Sequence, residues 1–128
     1  MIDFVSIPNK RPVAGDETAT DLWPEMGPEF VLNNFYSRFA SAEGWLGEGY
    51  LAVWTREEIQ SFREPNLEAY PAQYHFFASD GGGTQFGFCK QGEGIAFISA
   101  PDIGSEDDIR VLGSWEQFLL SVETGDYI

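Results

Sequence analysis

His75 and Cys89 are the chain's only histidine and only cysteine, and a thiol paired with an imidazole base is the shortest route to a nucleophilic centre. The two fall on neighbouring predicted strands, so a hairpin offers them a way to meet. No family signature of a cysteine enzyme surrounds Cys89, and a lone free cysteine commonly serves as a small buried apolar residue. A triad or a histidine-rich metal site would have to be built on His75 alone, which favours a structural role for it.

Two other features invite chemistry. The run Gly81, Gly82, Gly83 invites comparison with a phosphate-binding loop, but such loops continue into a Lys, a Ser or Thr, and a helix, whereas here a strand follows. A tight turn explains the run, because glycine adopts positive φ at no steric cost. Carboxylates stand side by side at Glu57 and Glu58 and again at Glu106, Asp107 and Asp108, and paired carboxylates perform general acid and base catalysis. With 21 acidic residues among 128, adjacency is expected without any function. The segment 102–108 lacks the glycine and ligand spacing of a calcium loop. No catalytic residue, cofactor-binding residue or metal ligand is therefore assigned. An enzyme using a carboxylate pair, or Cys89 with His75, stays as the lesser alternative.

The charge balance restricts the partners. Seven Lys and Arg face 21 Asp and Glu, a formal charge of −14, which makes nucleic acid and anionic membrane unfavourable partners and suits a basic protein. Hydrophobic residues make up 43 % of the chain and include eleven Phe and four Trp, so the acidity belongs to the surface of a folded domain and not to a disordered tail. A chain of this length is expected to form one domain that buries about two-thirds of its unfolded surface. One cysteine permits no intrachain disulfide, the first residues do not read as a signal sequence, and no run of about 18 apolar residues occurs, so the expected location is the cytoplasm.

The elements that must position these groups are read from period and punctuation. Residues 1–15 carry two prolines and no helical period and read as an arm, with the domain covering residues 16–128. Thr18, Asp21 and Leu22 suggest a short helix ending near Met26 and Gly27. Pro28 opens a second helix with Leu32, Phe35, Tyr36 and Phe39 in one stripe, Asn33 and Asn34 off it, and an end at Glu43 and Gly44. Residues 49–54 read as a strand, followed by a helix capped by Thr55 and Glu58 and carrying Ile59 and Phe62. Residues 63–72, with Pro65, Asn66 and Pro71, read as a loop. Tyr74, Phe76 and Ala78 then alternate with His75, Phe77 and Ser79, and after the turn at 80–83 alternation resumes through Phe86 and Phe88. Residues 94–99 supply another strand, residues 101–108 an acidic loop, and Ser114 with Gln117 caps a last helix with Trp115, Phe118, Leu119 and Val122 inward. The expected fold is α+β, a single domain with an antiparallel sheet of about four to six strands and helices packed against it.

This order resembles the SUKH superfamily, which includes many bacterial immunity proteins of polymorphic toxin systems and a yeast cell-wall-assembly regulator. The resemblance spans about residues 16–122 and is carried by the strand ending at Trp54, by Ala78, Ser79, Asp80, Gly81, Gly82 and Gly83, and by Ser114, Trp115, Glu116, Gln117, Phe118 and Leu119. Where the family commonly opens its helix with a Leu-Pro pair before an aromatic residue, this chain has Gly27, Pro28 and Phe30. The resemblance implies a SUKH-like α+β fold without catalytic residues and, for many members, neutralisation of a toxin by direct binding. Trp54, Asp80, the three glycines, Trp115, Phe118 and Leu119 match as determinants of the fold. The expected function is an intracellular protein-binding domain, an immunity protein covering a basic toxin domain such as a nuclease. Its alternative is a regulatory or scaffold protein of the same fold. Glu57, Glu58, Glu106, Asp107 and Asp108 are the expected partner contacts, with a merely solvated face as the competing reading; the oligomeric state stays open.

Overall fold

A computed structural model describes residues 7–12, 22–27, 29–63, 73–92, 94–101 and 106–127. Thr18 and Asp21 of the first expected helix, Pro28, the loop at 64–72 and residues 102–105 of the acidic loop lie outside the described residues. Within the described residues seven strands form one antiparallel sheet in sequence order: β1 Arg11–Pro12, β2 Phe39–Leu46, β3 Gly49–Val53, β4 His75–Ser79, β5 Thr84–Gln91, β6 Gly94–Pro101 and β7 Arg110–Gly113. Among the described residues three helices accompany it, α1 Val31–Arg38, α2 Arg56–Arg63 and α3 Trp115–Thr124, with a 3-10 turn at Pro24–Met26 and another at Glu106–Asp108. The fold is α+β as expected, with seven strands and not four to six. The added strands are the ones with weak alternation, β1, β2 and β7.

The helices obey their local signals. The capping box of α3 is complete: the Gln117 amide N–H donates to Ser114 Oγ at 3.2 Å and Ser114 N–H donates to Gln117 Oε1 at 2.8 Å. The reciprocal pair for α2 links Glu58 N–H to Thr55 Oγ1 at 3.2 Å and Thr55 N–H to Glu58 Oε1 at 3.0 Å. In α1 the stripe Leu32, Phe35 and Tyr36 is fully buried, but the helix stops at Arg38. Phe39 is already extended and starts β2, so the expected helical run to Glu43 is corrected. From Ala42 the burial alternates through Gly44 and Leu46 inward and Glu43 and Trp45 outward, a strand pattern disguised by small inward residues. Asn33, expected off the apolar face, is 1 % exposed. Its carboxamide accepts from Trp23 N–H and donates to the Trp23 and Gly27 carbonyls, stapling the 3-10 turn to α1.

One face of the sheet packs under the helices and holds the main core of Leu51, Val53, Phe77, Phe86, Phe88, Phe97, Trp115 and Phe118, joined by Leu32, Phe35 and Tyr36 of α1. Edge-to-face ring pairs dominate it, such as Phe77 with Phe118 at 5.7 Å and Phe88 with Phe30 at 4.9 Å. A smaller cluster of Phe76, Cys89, Ile98 and Ala100 occupies the other face. The expected strict alternation along β4 fails because the register shifts between Phe76 and Ala78, which buries Phe76 in the smaller cluster on the opposite face while Phe77 and Ala78 both enter the main core. At the amino-terminal end Ile7 is in the main core, Asn9 donates to the Glu43 carbonyl at 2.9 Å, and Arg11 pairs with Ser41, so the described part of the arm is an edge of the sheet. The β2–β3 hairpin rests on the end of α3, where Glu48 N–H donates to the Glu123 carbonyl at 2.7 Å. No helix among the described residues is long and apolar enough to cross a membrane.

Candidate functional site: an acidic aromatic groove

Alternation along β2 and β3 turns Glu43 and Trp45 outward beside Tyr50 and Ala52, because Glu43 pairs with Ala52 and Trp45 with Tyr50. Ala52 pairs in turn with Ser79 of β4, so these residues form a contiguous patch on the face opposite the main core. Trp54, Glu58 at the start of α2, and the Asp80–Gly81 turn raise its sides, enclosing an open groove of about 570 Å³. Trp45 is 70 % exposed, an unusual solvent exposure for an indole. Its ring meets Tyr50 edge to face at 5.4 Å. Among the described residues the lining contains three carboxylates, Glu43, Glu58 and Asp80, and no Lys or Arg.

Each carboxylate is oriented by the framework. Tyr50 Oη donates to Glu43 Oε2 at 2.7 Å, and this bond to the carboxylate is the chief reason the Tyr50 phenol is pushed above its ordinary value. Glu58 is held by its cap bond. Asp80 Oδ1 accepts from the Gly82 and Thr84 amides at 2.8 and 3.2 Å, while Oδ2 accepts from Tyr127 Oη at 3.2 Å. Asp80 thus closes the glycine turn, and that turn touches the groove: the Gly81 Cα lies where an added Cβ would sit 3.0 Å from the Tyr50 ring. Gln85 pairs with Ser79 on the next strand, and its buried Oε1 has no hydrogen-bond partner among the described residues.

The five expected contact residues are all exposed, and the structure divides them. Glu58 reaches the groove. Glu57 shares the first turn of α2 but does not line it. Glu106, Asp107 and Asp108 form the 3-10 turn before β7, where Glu106 accepts from Tyr74 Oη at 3.3 Å. Asp108 borders a smaller hollow of about 190 Å³ with Arg110 and Tyr127. The expected helix running to Glu43 hides the strand that carries Glu43 and Trp45; a period of two across the Gly47 turn is the signal that places them beside Tyr50 of the expected 49–54 strand.

The nucleophile and base pair is not assembled. His75 stacks on Phe88 at 5.0 Å and meets Trp23 at 6.5 Å, both in the main core, whereas Cys89 belongs to the cluster on the opposite face. Burial pushes the Cys89 thiol above its ordinary value, the opposite of an activated thiolate. Among the described residues no group of three or more His, Cys, Asp or Glu is arranged to hold a metal ion. A scan against models of known families finds no match, and a search of curated proteins finds none. What the groove offers chemically is recognition: fixed negative charge between π faces, suited to a cationic group.

Proposed function

We propose that this chain is an intracellular protein-binding domain, an immunity protein that neutralises a cognate basic toxin domain by direct contact. The observation that carries the reading is the groove, in which a 70 % exposed Trp45 stands among three carboxylates with no basic side chain among the described lining residues. Exposed aromatic residues anchor protein interfaces, and a basic surface built to attract phosphate also attracts carboxylates. The formal charge of −14 extends that attraction over the whole surface. The likeness of Trp54, the 78–83 turn and the 114–119 helix to the SUKH pattern supports the immunity class and a SUKH-like fold.

Binding of the purified protein to the carboxy-terminal domain encoded beside it is the direct test. Affinity on the order of 10 nM or tighter at low salt, weakening steeply as salt rises, is the expected result. Micromolar or weaker binding at low salt overturns it. A housekeeping partner recovered instead would assign the chain to the regulatory class of the same fold.

A further inference from the structure

Carboxylate acceptors dominate the polar lining of the groove. Tyr50 has committed its hydroxyl proton to Glu43, whereas the Ser79 hydroxyl accepts from Gly81 N–H at 3.2 Å and keeps its own proton. Glu43 and Glu58 each use one oxygen within the protein, Oε2 and Oε1 respectively, and the second oxygen of each makes no hydrogen bond among the described residues. A ligand that fits must therefore bring several N–H donors and a positive charge, and must present a face to an indole. Guanidinium does all three: it is planar, donates within its plane to carboxylates and stacks through its faces on aromatic rings. An ammonium is a compact, strongly hydrated point charge that stacks less well.

We propose that the groove is an arginine-binding site, the place where a single arginine of a basic partner protein anchors against Trp45, with Glu43 and Glu58 accepting its N–H groups. This rests on the protein-binding reading above and adds the chemistry of the anchor. The site is ordered in advance, because the Tyr50–Glu43 bond and the Thr55–Glu58 cap hold the two carboxylates without a ligand, so little conformational entropy is lost on binding. At about 570 Å³ the groove exceeds one guanidinium, leaving room for the backbone that carries it.

The test uses the full chain, labelled with nitrogen-15, and two uncharged-end glycine peptides that differ only in carrying arginine or lysine. The arginine peptide is expected to shift the indole signals of Trp45 and Trp54 and the amides of Tyr50 and Gly81, and to bind about fivefold more tightly than the lysine peptide. Trp45→Ala and Glu43→Gln should each weaken it about fivefold with the thermal midpoint preserved, since both side chains are exposed; Glu116→Gln, at an exposed position of α3 away from the groove, should leave it unchanged. Equal affinity for the two peptides, shifts centred elsewhere, or an unaffected Trp45→Ala variant overturns the proposal. If a basic partner domain binds wild type and Trp45→Ala alike, the anchor is wrong while the binding function stands. If the arginine peptide binds as described but no basic domain does, the anchor stands and the function falls.

Discussion

Gly81 has φ of +79°, a backbone conformation in which any other L-residue is strained, and its missing side chain leaves room for the Tyr50 ring. Gly81→Ala is expected to lower stability by about 1–2 kcal/mol in urea denaturation and to displace Tyr50 from Glu43, weakening partner binding as well. A variant of unchanged stability would show that the turn tolerates the methyl group. Tyr36 makes a different prediction. Its hydroxyl is buried and donates to the Trp54 carbonyl, and burial, the largest cause, drives its pKa far above the ordinary 10.0. Burial likewise raises Cys89 above 9.0. Both groups are neutral in the fold and ionise more readily when unfolded. The stability they contribute is complete below the unfolded values and is lost progressively as pH rises above them towards the higher folded values, so unfolding should become easier from about pH 9 upward. Tyr36→Phe should cost about 1 kcal/mol near neutral pH and flatten the alkaline decline, read as thermal midpoint against pH. An equally steep decline in that variant would assign the effect to other groups.

At the scale of elements, the β2–β3 hairpin and α3 are coupled through backbone contact. A Cβ on Gly49 would lie 2.1 Å from the Val122 carbonyl oxygen, a collision with main chain that no rotamer change relieves. Gly49→Ala should therefore cost about 3 kcal/mol or more, whereas Ser114→Ala, which removes one side of the α3 capping box, should cost about 1 kcal/mol. Comparable losses from the two in denaturant titration would mean that the hairpin moves away from α3 easily. The same elements show what a sequence reveals. Both capping boxes and the stripe Leu32, Phe35, Tyr36 were legible because their signals lie within one or two helical turns. β2 was not. Ala42 and Gly44 fill its inward positions, and Phe39 extends the helical stripe by one more match, so nothing local marks the switch at Arg38. β7 is an edge strand of four residues with Val111 53 % exposed, and its pairing with β6 makes it a strand more than its own alternation does.

For the molecule as a whole, a formal charge of −14 in which each carboxylate repels many others should make stability depend on ionic strength. Raising sodium chloride from about 10 mM to about 300 mM is expected to lift the thermal midpoint by a few degrees while weakening association with a basic partner, because the same screening relieves self-repulsion and attenuates attraction. A midpoint indifferent to salt would mean that the acids are spaced widely enough not to interact. The acidity, the aromatic-rich core, the central hairpin and the helix caps follow from the sequence alone, since each depends on composition or on residues close in the chain. The tertiary structure decided the rest: the tying of the amino-terminal segment to β2, the separation of His75 from Cys89 by the sheet, and the groove itself. The groove draws on β2, β3, β4 and the start of α2, which become neighbours only through strand register, and register is a property of the whole sheet that no single stretch of sequence contains.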